Sequence, residues 1–122
     1  MALMHAAAGA VVYAGPLGER IAEEKTTTLV KVPGLHVFRL VLRAGEHLEE
    51  HRVPQALVIQ CLEGEMAFEV HGKALRMTAG DLCHIPPNEL HAVTATTAAS
   101  ALVMLHGERP HASAIDTEES SS

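Results

Sequence analysis

The amino-acid sequence predicts an all-β protein, a sandwich or a barrel built from short strands. Turn signals recur about every 8–12 residues from residue 35 to residue 106, which is the spacing that such folds show. No stretch after residue 35 repeats apolar residues with the period of a helix, so long helices are not expected there. Apolar residues make up 48% of the 122 residues and charged residues 20%, as is typical of one core-forming domain.

The N-terminal segment, residues 1–34, is expected to contribute a short helix and an edge strand before the barrel. The helix is predicted at Leu17–Lys25, because this stretch follows a Gly-Pro pair and carries several glutamates. At the other end, residues 109–122 are small, polar and acidic and finish in three serines. That composition predicts a disordered tail.

The strands of the barrel are expected within residues 35–108, separated by Gly, Pro or Asn. In the first strand the even positions form an apolar face, and Arg39 and Arg43 lie on the opposite face, where charges usually serve solubility. Arg76 is interpreted in the same way. The predicted strands are 35–43, 57–62, 65–70, 73–77, 82–85, 91–95 and 101–106.

Charge and hydropathy exclude several classes of partner. The chain has nine Lys and Arg against 15 Asp and Glu, a net charge of -6, so binding to nucleic acid phosphates is not expected. No apolar run approaches the roughly 18 residues of a membrane helix. The first residues lack the cationic start of a secretory signal, so a cytoplasmic location is expected. Cys61 and Cys83 are then expected to be free thiols, although two strands could place them side by side.

Nine histidines raise the expectation of a metal site or an acid–base site. One stretch, His47–His51, spells the H-x-x-E-H pattern of a class of zinc peptidases. That chemistry needs a helix, which sets both imidazoles on one face. Because Gly45 and Pro54 bracket the stretch and it has no apolar helical face, the peptidase interpretation is rejected.

A larger pattern extends over about Leu35–His106. It consists of Gly45, His51, Gly64, Gly80-Asp81, Pro86 and His91. This pattern resembles the two sequence motifs of the cupin superfamily, and the chain looks like a small single-domain cupin. The resemblance implies a jelly-roll barrel, also called a double-stranded β-helix, of two facing antiparallel sheets.

In cupins the two motifs bring the ligands of a metal ion together inside the barrel mouth. By resemblance, His51 and His91 are the candidate ligands here. The other two ligand positions of the family fall on Val53 and Leu57, so the first motif is degenerate. Asn88 stands where the second motif has glycine, and Asn can still adopt a left-handed conformation.

A third metal ligand would have to come from His47 or His84, either of which could face the mouth. With one of them, the site would hold a divalent ion (Fe, Mn, Ni or Zn) through three nitrogens. Without one, His51 and His91 would stand in a metal-free pocket. The pocket is predicted to be lined by Gln55, Val53, Leu57, Ile59 and Cys61.

Two functions therefore stay open. The leading hypothesis is a protein that binds a small molecule in its barrel, with at most a weak metal site. The alternative, implied by the resemblance, is a metal-dependent dioxygenase, isomerase or lyase that acts on a small organic acid or sugar. A homodimer is also expected, because Val58, Gln60 and Leu62 alternate onto a partly apolar outer sheet face.

Overall fold

Nine strands and one short 3-10 helix make up the part of the chain that the structure, a computed structural model, describes, namely residues 7–107. The helix spans Gly18–Ala22. The strands are β1 Thr27–Val32, β2 Leu35–Leu42, β3 His47–His51, β4 Ala56–Glu63, β5 Glu65–Val70, β6 Lys73–Thr78, β7 Leu82–Ile85, β8 His91–Ala95 and β9 Ala99–His106. The predicted all-β class is confirmed, while the predicted tail, 109–122, lies outside the described residues. Across 7–107, no helix has the length and apolar character needed to cross a membrane.

The strands form two antiparallel sheets that face each other. The first sheet has five strands in the order β1-β2-β9-β4-β7, and the second has four in the order β3-β8-β5-β6. Neighbours along the chain lie in different sheets at several points, as between β4 and β5, which is the crossing pattern of a jelly roll. The predicted strand series omitted β3, which exists because its backbone pairs with β8.

The core lies between the two sheets and is built from alternate residues of the strands. Met66 is 0% exposed, and Leu42, Ile59 and Ile85 are each 1% exposed. Phe68 packs with them, as the strict alternation of β5 predicts.

Glycines close the tight connections between strands. Gly64 joins β4 to β5 with φ of +80°, and a Cβ there would collide with the Ala98 carbonyl oxygen. The His71-Gly72 turn between β5 and β6 has positive φ at both residues, 56° and 74°, as a two-residue hairpin of this type requires.

Residues 13–18 of the N-terminal segment fold back across part of the outer face of the five-stranded sheet. Its helix is one 3-10 segment, Gly18–Ala22, and is shorter than the predicted Leu17–Lys25. The backbone N–H groups of Leu17 and Gly18 donate to the Glu63 carboxylate at 2.8 and 2.9 Å. A distant strand therefore holds these residues in place, in addition to the hydrogen bonds within the helical turn itself.

Arg39 corrects the expectation that arginines on the outer faces serve solubility. It is only 8% exposed, and its guanidinium donates to the carbonyl oxygens of Tyr13 and Gly15 at 3.0 and 3.2 Å. Tyr13 also lies over the guanidinium, 5.8 Å from ring centroid to Cζ. Tyr13 and Gly15 therefore cover a position that the strand pattern alone assigns to solvent.

Candidate functional site

His51 and His91 are brought together at one end of the barrel. They occupy directly opposed positions of β3 and β8. Their ring centroids are 4.4 Å apart, and the ring planes are inclined by 59°. His91 is 5% exposed, whereas His51 is exposed. The pair therefore extends from the buried interior to the solvent at the rim of the barrel.

Each ring of the pair is oriented by the backbone two residues before it. The Nδ1 atom of His51 lies 3.0 Å from the Glu49 carbonyl oxygen, and the Nδ1 atom of His91 lies 3.0 Å from the Glu89 carbonyl oxygen. Because a carbonyl oxygen can only accept, each Nδ1 must carry the proton. In the neutral form, both Nε2 atoms then keep a lone pair for a ligand.

The protonation of His91 is set mainly by its burial. Loss of solvent lowers the pKa of His91 below its ordinary value, and the nearby His51 lowers it further. The hydrogen bond to the Glu89 carbonyl and the Glu89 carboxylate act in the opposite direction without cancelling these effects. At neutral pH, His91 is therefore a neutral imidazole with an acceptor at Nε2.

His47 does not join the pair. It lies opposite Thr94 on β8, and its Nδ1 is 2.7 Å from the Thr94 hydroxyl. The next residue, Leu48, packs against the core, so His47 points away from it. The register of β3 shifts between Leu48 and His51, which removes the even spacing that had suggested a shared face.

His84 is also placed away from the pair. It is exposed on β7 opposite Val58, while its neighbours Cys83 and Ile85 face the core. Within residues 7–107, no group of three or more His, Cys, Asp or Glu side chains could hold a metal ion. The expected third nitrogen is therefore supplied by neither His47 nor His84.

A cleft of about 510 Å³ opens at the barrel end where β1 turns into β2. We call it the mouth cleft, and it is lined by Lys31, Val32, Pro33, Gly34, Leu35, His36, Val53, Gln55, Leu105 and Gly107. Of the predicted pocket residues, Val53 and Gln55 line this cleft. Leu57, Ile59 and Cys61 are 5%, 1% and 1% exposed and are packed in the core.

The histidine pair and the mouth cleft share one end of the barrel. β3 ends at His51, and the chain passes through Val53 before β4 begins. The loop that leads into His91 is bound to this connection, because the N–H of Asn88 donates to the Val53 carbonyl at 2.7 Å. Asn88 has φ of 65°, the left-handed conformation expected at the glycine position of the motif.

Two polar residues of the lining, Lys31 and His36, were not predicted from the sequence. Lys31 and His36 lie opposite each other in β1 and β2, and the Pro33-Gly34 turn between them is a recognisable hairpin signal. The Nε2 atom of His36 lies 3.2 Å from the Thr28 hydroxyl, so this ring is already engaged inside the sheet. Pairing of the two strands brings Lys31 to the cleft.

Comparison with known families matches a cupin domain over residues 38–106. This chain belongs to the cupin family. A search of curated proteins finds no match.

Several solved structures share the fold of this cupin. An RmlC-like cupin from Shewanella frigidimarina has a TM-score of 0.65 and 23% identity, covering 69% of this chain and 76% of that one. A conserved protein of unknown function from Streptococcus pyogenes has a TM-score of 0.66 and 21% identity, covering 84% and 93%. A salicylate 1,2-dioxygenase mutant from Pseudoaminobacter salicylatoxidans has a TM-score of 0.57 and 24% identity, covering 61% of this cupin and 21% of the larger chain. These likenesses confirm the jelly-roll barrel.

The donor set of this cupin does not fit a complete metal centre. Catalytic zinc sites, for example, use three protein ligands and leave one position open. Here the pair supplies two imidazole nitrogens, and Val53 and Leu57 stand at the other two ligand positions of the family. A metal ion at His51 and His91 would depend mostly on water for its remaining ligands.

Proposed function

We propose that this cupin binds a small organic molecule at the barrel mouth, with the Nε2 atoms of His51 and His91 as its polar anchor. One observation carries the proposal. The two rings lie 4.4 Å apart, and both Nδ1 atoms are already bonded to backbone carbonyls. A few convergent polar groups beside an apolar cleft are the usual composition of a site for a small ligand.

The two histidines are suited to bind one additional proton between them. Burial lowers the pKa of His91 and the nearby His51 lowers it further, so a second proton on the pair is disfavoured. With His91 neutral, its Nε2 accepts a hydrogen bond from a ligand hydroxyl. The exposed His51 ring can donate from Nε2 when protonated or accept when neutral. The pair therefore matches a ligand that carries an oxygen able both to donate and to accept.

The alternative is a metal-dependent enzyme. One observation favours it, because histidines that bind metals commonly donate the other ring nitrogen to a carbonyl or carboxylate, as both rings do here. The number of protein ligands opposes it. We expect any Fe, Mn, Ni or Zn ion to be held weakly by the two nitrogens.

Ring-nitrogen NMR distinguishes the two functions. A library of small organic fragments is added to the ¹⁵N-labelled full chain, and each divalent ion is added in a separate titration. For the proposed function, fragments shift the Nε2 signals of both histidines, and His51→Gln and His91→Gln each abolish that binding. His84→Gln is the matched control, because this exposed ring lies on the outer sheet face and its loss should leave fragment binding unchanged.

Either of two results would overturn the proposal. The first is that no fragment binds, and the second is that fragments bind equally well to both glutamine variants. If a divalent ion is retained stoichiometrically after dialysis and lost in both variants, the metal-dependent alternative is supported instead.

We also propose that the part of the outer face of the five-stranded sheet around Val58 and Met104 is the contact surface of a homodimer. Val58, Leu102 and Met104 are only half-buried there, and Leu82 is 64% exposed. Exposed and half-buried apolar residues of this kind are typical of an association site. Light scattering after gel filtration should show a dimer that Met104→Lys dissociates. Leu75→Lys, at a partly exposed position of the other sheet, should leave it intact. The cytoplasmic location stays a prediction.

A further inference from the structure

We infer that the ligand is a small carboxylate, whose charged end binds at Lys31 and Gln55 in the mouth cleft. This inference rests on the proposed function and specifies the chemical class of its ligand.

The charges that line the mouth cleft are of one sign. Among the described residues that line it, none is Asp or Glu, and Lys31 is the formal cation. The chain as a whole has a net charge of -6. A recess with only cationic and neutral walls on an acidic protein attracts anions locally while the remaining surface repels them.

A second recess on the same protein shows the contrast. It has a volume of about 360 Å³ and includes Glu50, Glu69 and Glu89 in its lining, together with His71. Its one close ion pair within residues 7–107 joins His71 to Glu89 at 3.2 Å. Three carboxylates there disfavour an anionic ligand, so an anion is directed to the mouth cleft.

Two hydrogen-bond donors in the mouth cleft have no partner among the described residues. Lys31 is exposed and forms no ion pair with them, and the half-buried side-chain amide of Gln55 forms no hydrogen bond with them. An ammonium and an amide N–H together satisfy two acceptor oxygens. A carboxylate carries two such oxygens on one carbon, whereas a neutral hydroxyl or amide offers less charge to the ammonium.

The other residues of the cleft indicate that the body of the ligand is apolar. Pro33, Leu35, Val53 and Leu105 provide apolar walls, so the ligand carries an apolar body behind its carboxylate. Val53 lies two residues after His51, and thus connects the cleft to the histidine pair. Neither His51 nor His91 is among the described residues that line the cleft, so a ligand must extend past Val53 for its far end to reach the imidazoles.

Matched acid and amide probes test this assignment. Benzoate with benzamide, and hexanoate with hexanamide, are titrated into the full chain at pH 7.5 and followed by backbone NMR. We expect each acid to bind about fivefold more tightly than its amide, the size of one partly exposed charge interaction. Lys31→Met should remove that preference, whereas Lys31→Arg should retain it. Lys25→Met is the matched control, because Lys25 is exposed and does not line the cleft.

Failure of this inference can be distinguished from failure of the proposed function. Equal binding of acids and amides, an unchanged preference in Lys31→Met, or no binding of either probe would each overturn the carboxylate assignment. If fragments that lack a carboxylate still bind through His51 and His91, the proposed function stands without it. Resonance shifts at Lys31 and Gln55 on adding acid would support the carboxylate assignment. Shifts of the Nε2 signals of His51 and His91 in the same titration would support the proposed function as well.

Discussion

Replacing Glu63 by Gln should release the backbone at Leu17 and Gly18 from the five-stranded sheet. One carboxylate oxygen of Glu63 accepts from the Leu17 N–H at 2.8 Å and from the Ser100 hydroxyl. The other accepts from the Gly18 N–H at 2.9 Å. A glutamine keeps one oxygen and places an NH₂ group opposite the other donor, so at least one hydrogen bond is lost. The remaining hydrogen bonds are then accepted by a neutral amide oxygen instead of a charged carboxylate.

The expected loss in the free energy of unfolding follows from these three hydrogen bonds. A hydrogen bond to a charged group contributes about 1.5–3 kcal/mol and a neutral one about 1 kcal/mol. Glu63 is half-buried, so its side chain is partly screened by solvent. We therefore expect Glu63→Gln to lower the free energy of unfolding by about 2 kcal/mol at pH 7. For a domain of this size, that corresponds to a Tm lower by about 8 °C.

The stabilisation that the Glu63 carboxylate contributes should be lost as the pH falls. Burial alone would raise the pKa of the Glu63 carboxyl, but hydrogen bonds from Leu17, Ser100 and Gly18, together with Arg39, lower it below its ordinary value. A carboxyl with a lowered folded-state pKa stabilises the fold above its unfolded pKa of about 4.3. That contribution is lost as the pH falls through the lowered folded value. The stability difference between wild type and variant should therefore disappear in acid.

Urea unfolding followed by far-ultraviolet circular dichroism measures the stability difference, and hydrogen exchange at the Leu17 and Gly18 amides measures the local release. Glu65→Gln is the control, because that carboxylate pairs with Arg76 at the surface and should barely change the unfolding midpoint. The reasoning is refuted if Glu63→Gln unfolds like wild type with unchanged amide exchange, or if the difference persists unchanged at pH 3.

Other predictions concern the turns, the histidine pair and the core. Gly64→Ala should lower the free energy of unfolding, measured in urea, by about 3 kcal/mol, because its Cβ would collide with backbone. Gly72→Ala has open space for the Cβ and should lower it by about 1 kcal/mol. Equal losses in the two variants would contradict this expectation. His51→Gln should raise the pKa of His91 in an NMR titration, because His51 lowers it in the wild type; an unchanged or lower pKa would show that the rings do not interact. Met66→Ala should lower the free energy of unfolding by about 2–5 kcal/mol in the same assay, because Met66 is fully buried. A loss below about 1 kcal/mol would argue against a tightly packed core.

Local pattern was enough to predict most of the barrel strands. Alternation in β5 placed Met66, Phe68 and Val70 inside, and they are 0%, 2% and 8% exposed. The Gly and Pro positions marked the turns between strands. Both signals are local, since side-chain direction repeats every two residues along a strand and φ is a property of a single residue.

The sequence motifs also pointed to His51 and His91, but their juxtaposition depends on the register of β3 against β8. The same register excludes His47 from the pair, because the irregularity after Leu48 reverses which face the following residues occupy. No local pattern within His47–His51 reveals that shift. It arises from hydrogen bonds to a strand some forty residues later in the chain.

By itself, the sequence determined that this chain is an all-β cupin with two histidines at motif positions and apolar residues at the other two. Only the tertiary structure decided that Arg39 is covered, that His84 faces outward, and that Lys31 and Gln55 line one cleft. The physical reason is that burial and proximity depend on which distant segments pack on each strand. Alternation specifies two faces, and packing alone determines what each face contacts.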